Sequence, residues 1–150
     1  MLMRGFILIA SALSAAAMAD VAAAAPPLSD GIDVAIPAEV EPYVPANLRG
    51  YFLVFMVTPR EPKPMSEELF VRHQAYIRRQ IEAGVFKIVG PITNGGRLRG
   101  MKIVNAASIE DARKIAAGDP AVQEKVLDVE VYAVTLPSLA TLRIEYPDKK

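Results

Sequence analysis

The chain has 150 residues, 52% hydrophobic and 23% charged, and this length predicts one folded domain with appendages. Its 17 basic side chains balance its 17 acidic ones, which excludes a nucleic-acid-binding protein that relies on excess Lys and Arg to displace counterions from phosphates. Cysteine is absent and His73 is the single histidine, which excludes a disulfide scaffold, a cysteine redox centre and a zinc site with several histidines.

Residues 1–24 predict an export signal. Arg4 gives a positive start, residues 5–19 are almost wholly apolar, and an Ala-Met-Ala cleavage site precedes Asp20, with a second candidate site in residues 22–25. Asp20 interrupts the apolar stretch near the point where a span of about 20 residues would finish, which favours a cleaved signal over a retained membrane anchor. We therefore predict a periplasmic or secreted protein that meets the membrane only through this segment before cleavage. An N-terminally anchored protein is the alternative.

Residues 25–48 follow as a proline-rich segment. Its five prolines fix φ and remove amide donors, and no helical or alternating pattern runs through it. We predict an extended, disordered tether here, then a folded domain over residues 49–136 and a tail over residues 137–150.

The first half of the domain predicts a strand, a helix and a second strand. Residues 51–57 form an apolar, β-branched and aromatic run that is typical of a central strand. Ser66 is placed to cap a helix that runs to about residue 83, where Gly84 suits the left-handed turn that ends it. Residues 85–89 predict the second strand.

The second half predicts a hairpin, two short helices and a last strand. A turn at residues 93–96 leads into a strand at 100–105, and Ser108 opens a helix that Gly118 ends. Asp119-Pro120 starts a further short helix, and residues 128–136 alternate as a strand.

The predicted order is β-α-β-β-α-β, a ferredoxin-like α+β fold with a four-stranded antiparallel sheet and both helices on one face. The other face would be apolar and would need a cover. We predict a homodimer that packs sheet to sheet, an α+β barrel, although the tether or the tail could also serve as the cover.

His73 and Asp119 are the candidate catalytic residues. His73 falls on or beside the apolar stripe of its helix, so it is either a packed histidine or a general acid or base. Asp119 is either an ordinary helix N-cap or the carboxylate that orients the imidazole, and the two roles are compatible.

Four further residues are candidates for substrate binding. Gly90-Pro91 is predicted to end a strand beside a cleft, and Tyr76 or Arg72 could bind an oxygen of the substrate. The alternative for Arg72 is a solvated helix face. The glycines match no phosphate loop or dinucleotide fingerprint, and the carboxylates are scattered, so we predict no cofactor and no metal. Haem bound through His73 is a weaker alternative.

Several of these motifs together resemble the YCII-related family. They are the run His73–Ile77, Gly90-Pro91, the sequence that starts at Ser108, and Asp119-Pro120. The resemblance covers residues 49–136 and implies a dimeric ferredoxin-like domain with a His–Asp acid–base pair in a cleft. Matched to this sequence, that pair is His73 and Asp119. Most of the family has no assigned reaction, and one branch is associated with dehydrochlorination of a chlorinated hydroxyquinol.

Two functions follow as hypotheses. The first is a cofactor-independent lyase or isomerase in which His73 moves a proton of a small molecule and Asp119 orients the imidazole. The second is a non-catalytic periplasmic binding or accessory protein that uses the same dimeric scaffold. The export signal, the tether and the tail distinguish this chain from the usual family member.

Overall fold

A computed structural model describes residues 29–146, so the predicted export signal lies outside the described residues. Three helices and five strands, with one 3-10 turn at Glu41–Tyr43, make up the regular structure of this part of the chain. In chain order they are β1 (Ile32–Asp33), β2 (Leu48–Val57), α1 (Glu67–Glu82), β3 (Phe86–Pro91), β4 (Leu98–Val104), α2 (Ile109–Ala117), α3 (Pro120–Gln123) and β5 (Asp128–Pro137).

The four long strands form one antiparallel sheet in the order β5-β2-β4-β3. Strand β2 pairs with β5 along its whole length and with β4 on its other edge, as predicted for a central strand. The two-residue strand β1 pairs with β2 at Arg49 and Gly50, beyond the end of β4. The predicted ferredoxin-like α+β fold is confirmed.

Side-chain alternation divides the sheet into a helix face and an open face. On β2, Phe52, Val54 and Met56 point to the helix face and belong to the hydrophobic core. Val54 of β2 lies opposite Lys102 of β4, so the pleat directs this lysine into the same core. The charged side chain of Lys102 therefore lies within the hydrophobic core.

Helix α1 begins and ends at the predicted signals. The Ser66 hydroxyl accepts a hydrogen bond from the Leu69 amide at 3.1 Å, and Gly84 has a φ of 71° directly after the helix. The helix is thereby held between the loop after β2 and the start of β3. This placement sets His73 against the sheet, since His73 is among the buried residues of α1.

The open face of the sheet keeps part of its apolar surface exposed. Leu53, Phe55 and Met101 are half-buried, and Tyr132 is 50% exposed. The rings of Phe55 and Tyr132 meet edge to face with centroids 6.2 Å apart.

The two chain ends beyond the predicted domain are fastened on the open face. The Asp30 carboxylate accepts hydrogen bonds from the Tyr51 hydroxyl at 2.8 Å and the Ser138 hydroxyl at 2.6 Å. The ammonium of Lys87 lies 3.2 Å from its other oxygen, and Asn105 bonds to the backbone of residues 29 and 31. Residues 29–33 therefore depart from the predicted disordered tether, because their side-chain and backbone bonds hold them to the sheet.

No helix within residues 29–146 is both long and apolar enough to cross a membrane.

Candidate active site

The structure brings His73 and Asp119 into contact from distant parts of the chain. The Nδ1 atom of His73, on α1, lies 2.7 Å from Oδ1 of Asp119. Asp119 is also the N-cap of α3, since the same oxygen accepts a hydrogen bond from the Ala121 amide at 3.0 Å. The carboxylate therefore takes both of the roles that the sequence left open.

Lys102 completes this cluster, and the sequence analysis missed it. Its Nζ lies 2.8 Å from Oδ2 of Asp119 and 5.0 Å from the centre of the Phe86 ring. Lys102 is 1% exposed and Asp119 is 0% exposed, so this is a buried ion pair. A signal was present: Lys102 stands in the apolar strand segment 101–104, at a position whose alternation with Val104 predicts the core face.

Each partner in the cluster favours the charged form of the other against the effect of burial. Burial alone would raise the pKa of Asp119, but the hydrogen bond from His73 and the nearby ammonium of Lys102 outweigh it, so the pKa lies below its ordinary value of 3.8. Burial lowers the pKa of Lys102, and the attraction of Asp119 opposes that shift. Asp119 is therefore ionised at neutral pH.

The ionised carboxylate determines which nitrogen of His73 carries a proton. A carboxylate can only accept hydrogen bonds, so Nδ1 carries a hydrogen and donates the hydrogen bond to Asp119. In the neutral imidazole Nε2 then has a free lone pair. His73 is consequently held in the tautomer that can take a proton from a ligand.

A cavity of about 450 Å³ lies against His73, between α1, β3 and β4. Its polar side chains are those of His73, Gln74, Arg99 and Lys102. The remaining lining is mostly apolar and is contributed by Met56, Met65, Phe70, Ile77, Val89, Gly90, Pro91, Gly100, Met101 and Leu127. An apolar hollow with a few converging polar groups is the usual form of a small-molecule site.

Gly90 and Pro91 line this cavity, whereas Tyr76 and Arg72 do not. The Tyr76 hydroxyl donates to the Ile115 carbonyl oxygen at 2.5 Å, on the side of α1 that faces α2. The Arg72 guanidinium lies 2.5 Å from the Glu124 carboxylate. The structure therefore does not bring Tyr76 and Arg72 to this cavity, and both polar groups are engaged by the protein itself.

Arg99 is a cationic residue that lines the cavity instead. It is exposed, and no ion pair found within residues 29–146 includes it. Sequence reasoning passed over it because an arginine beside a hairpin turn is typical of a solvated surface.

Among residues 29–146, no three His, Asp or Glu side chains are grouped so that they could hold a metal ion. The cluster of His73, Asp119 and Lys102 contains one histidine and one carboxylate.

Comparison with known proteins assigns the chain to a family. The YCII-related domain family matches residues 52–135, which span all three helices and the four long strands except the first four residues of β2 and the last two of β5. No curated protein matches the chain in a sequence comparison.

Among solved structures, the chain is similar to 5-chloro-2-hydroxyhydroquinone dehydrochlorinase from Burkholderia phenoliruptrix AC1100, solved with 2,5-dihydroxybenzoquinone. The two share 18% identity over 55% of this chain and 90% of that chain, with a TM-score of 0.40.

The fold and the match define the class of protein, a ferredoxin-like α+β domain. This chain belongs to the YCII-related domain family.

Proposed function

We propose that this chain is a cofactor-independent acid–base enzyme of the lyase or isomerase type that acts on a small molecule. The observation that carries the proposal is the 2.7 Å contact between His73 and a fully buried Asp119 at the wall of a cavity. An imidazole oriented by a carboxylate, with its other nitrogen free, has the form of a general base.

The proposed reaction starts with removal of a proton. Nε2 of His73 takes a C–H or O–H proton from the bound molecule, and the electron pair stays on the substrate. In an isomerisation the imidazolium returns that proton to another atom of the same molecule. In an elimination the electron pair forms a double bond and expels a leaving group from the adjacent carbon, and the imidazolium gives its proton to the leaving group or to water. General acid–base catalysis of this kind contributes about 10²–10⁴-fold.

Arg99 is proposed to bind the oxygen on which negative charge develops. Arg99 is exposed, lines the same cavity as His73, and takes part in no ion pair found within the described residues. No carboxylate lines the cavity. Lys102 is neutralised by its ion pair with Asp119, so Arg99 is the lining cation that would favour a ligand that carries or develops negative charge. Gly90 and Pro91 supply backbone and apolar contact at the opposite wall.

The experiment detects proton removal directly, whatever product is formed. The folded protein is screened by thermal shift against small phenols and enolisable carboxylates, because a bound ligand raises the melting temperature. Each stabilising compound is then incubated with enzyme in D2O, and exchange of its carbon-bound hydrogens is followed by proton NMR. We expect exchange with the wild type and a loss of about 10²–10⁴-fold with His73→Gln.

Lys114→Gln is the matched control, since Lys114 is exposed on α2 and does not line the cavity. Equal exchange in wild type and His73→Gln would contradict the enzymatic proposal. If ligands bind both proteins equally and neither catalyses exchange, the non-catalytic binding function replaces it. The apolar lining of the cavity is the observation that favours this second function.

We further propose that the protein is exported, on the support of the apolar segment after Arg4. Expression in a bacterial host, followed by mass determination of the periplasmic product, tests this: an uncleaved cytoplasmic chain is the contradicting result.

We also propose that two copies pack through the open face, where Leu53, Phe55, Met101 and Tyr132 expose apolar surface. The partners are thus a small-molecule ligand and a second copy of this chain. Sedimentation of the wild type and of Phe55→Lys tests the dimer, and a monomeric wild type would contradict it.

A further inference from the structure

We infer that Lys102 is a positioning residue that keeps His73 in its neutral, proton-accepting form. The inference rests on the proposed function, because it assigns a role in the same site. It depends on geometry that a His–Asp pair alone would not have: one buried carboxylate shared by two nitrogen groups.

The sharing is set by the two oxygens of Asp119. Oδ1 accepts from Nδ1 of His73 at 2.7 Å and from the Ala121 amide, and Oδ2 accepts from the ammonium of Lys102 at 2.8 Å. Both oxygens are thereby occupied, and none of Asp119 is exposed to solvent.

Charge counting shows what Lys102 does to the imidazole. With Lys102 charged, Asp119 ionised and His73 neutral, the buried cluster has no net charge. Protonation of His73 would place two cations against one carboxylate in a buried site, which costs free energy because neither is in full contact with water. In an isolated His–Asp pair the carboxylate would instead favour the imidazolium.

The other charged groups near His73 do not replace this effect. On α1, Arg72 is paired with Glu124 beyond α3 and lies near Glu68. Arg99 of β4 is exposed at the cavity mouth, and the lysine of β3, Lys87, is paired with Asp30 on the open face. Lys102 is the one cation of residues 29–146 that contacts the carboxylate that holds His73.

The test uses nitrogen-15 NMR of the full chain, in which the single histidine gives an unambiguous signal. At neutral pH the wild type should show Nδ1 protonated and Nε2 unprotonated. In Lys102→Met, the transition in which Nε2 gains a proton should move to higher pH by about one unit, because the carboxylate has lost its cation. The acid limb of any proton-exchange activity should move with it.

Three further variants keep the result interpretable. Lys102→Gln should shift the transition in the same direction as Met and keeps a polar end in the buried site. Lys102→Arg, which keeps the charge, should restore the wild-type transition. Lys87→Met removes an ion-paired lysine from the neighbouring strand and should leave the transition where it is.

A transition that stays in place in both neutral variants, or moves to lower pH, would overturn the inference. So would a wild type in which Nε2 rather than Nδ1 carries the proton, a result that needs no variant. The NMR measurement requires no turnover. A shifted transition in a protein that exchanges no ligand hydrogens would therefore support the role of Lys102 while the proposed enzymatic function fails.

Discussion

Asp119 and Asp30 are two carboxylates that each meet a lysine, on opposite faces of the same sheet. Asp119 is wholly buried on the helix face, where His73 connects it to the cavity. Asp30 lies on the open face, where its partners are Tyr51, Ser138 and Lys87, and its side chain is 17% exposed. The Asp119 cluster adjoins a cavity, whereas the Asp30 cluster joins the segments that flank the domain, residues 29–33 and the start of the tail at Ser138.

A carboxylate that pairs with a lysine therefore does not by itself identify a candidate functional site. Around Asp30, the hydroxyl and ammonium groups serve to hold residues 29–33 and the start of the tail to the sheet. Around Asp119, the partner His73 has a second ring nitrogen, Nε2, that makes no hydrogen bond within the described residues. The functional candidate is distinguished by this free group at a cavity wall, not by the strength of its ion pair.

Removal of each carboxylate should give the largest difference between the two clusters. Asp119→Ala leaves the ammonium of Lys102 buried without a counterion, and we expect it to lower the free energy of unfolding by about 3–5 kcal/mol. Asp30→Ala should cost about 1–3 kcal/mol, because the side chains of Asp30 and Lys87 are each 17% exposed and the ammonium that loses its partner can be hydrated. Urea unfolding of both variants measures this.

Asp33→Ala is the control for these two variants. The Asp33 side chain is 91% exposed although it pairs with Arg49, so its removal should change stability by less than about 1 kcal/mol. If Asp119→Ala were as stable as Asp30→Ala, the expected difference would be contradicted, since burial of the ion pair would not distinguish the two clusters.

The acid stability of the protein should separate the same two groups. For Asp119, burial opposes but does not overcome the bonds from His73 and Lys102, and the folded pKa lies below 3.8. For Asp30, burial likewise opposes the bonds from Ser138, Tyr51 and Lys87, which lower the pKa.

A group whose folded pKa is lowered binds fewer protons in the folded state, so it stabilises the fold above pH 3.8. That stability is lost as the pH falls through 3.8 toward the folded pKa. Urea unfolding between pH 6 and 3 should therefore show a fall in wild-type stability that is shallower in Asp119→Asn. Asp30→Asn should reduce the fall by a smaller amount, and an unchanged slope in Asp119→Asn would contradict the assignment.

The smallest expected effect concerns the chain ends. The Tyr51 hydroxyl donates to Asp30 and accepts from the Leu139 amide at 2.8 Å. Tyr51→Phe should therefore lower the free energy of unfolding by about 1 kcal/mol and loosen the tail. Trypsin cleavage after Arg143 should become faster than in the wild type.

Tyr76→Phe supplies the matched control, because it also removes one bonded hydroxyl but does not touch the tail. Equal cleavage rates in the wild type and in Tyr51→Phe would show that the Asp30 cluster does not hold the chain end.

The sequence predicted most of the fold because the signals were local. A continuous apolar run marked β2, alternation marked β5, Ser66 and Ser108 marked helix starts, and the Asp119-Pro120 step marked α3. Strand bounds moved by up to three residues, and β3 continues through Gly90 to Pro91, beyond the predicted end at residue 89. A proline is tolerated there because β3 is an edge strand.

The candidate site could be predicted only in part. The pairing of His73 with Asp119 followed from motifs that resemble a family, whereas Lys102 was missed because charge was read as surface and was not tested against strand alternation. Helical spacing put Tyr76 near His73 but could not show that its hydroxyl turns to α2. Side-chain bonds between distant residues, such as those of Asp30, leave no pattern along the chain.

The shared carboxylate has a consequence for what happens between the two halves of the proposed reaction. Each proton that His73 accepts would leave the protein one positive charge richer and the bound molecule one negative charge richer. With Lys102 already satisfying Asp119, the new positive charge would find its best counterion in the ligand itself. The deprotonated ligand would thus be held by electrostatic attraction until the imidazolium gives up its proton. The product would leave once His73 and the ligand are both neutral again.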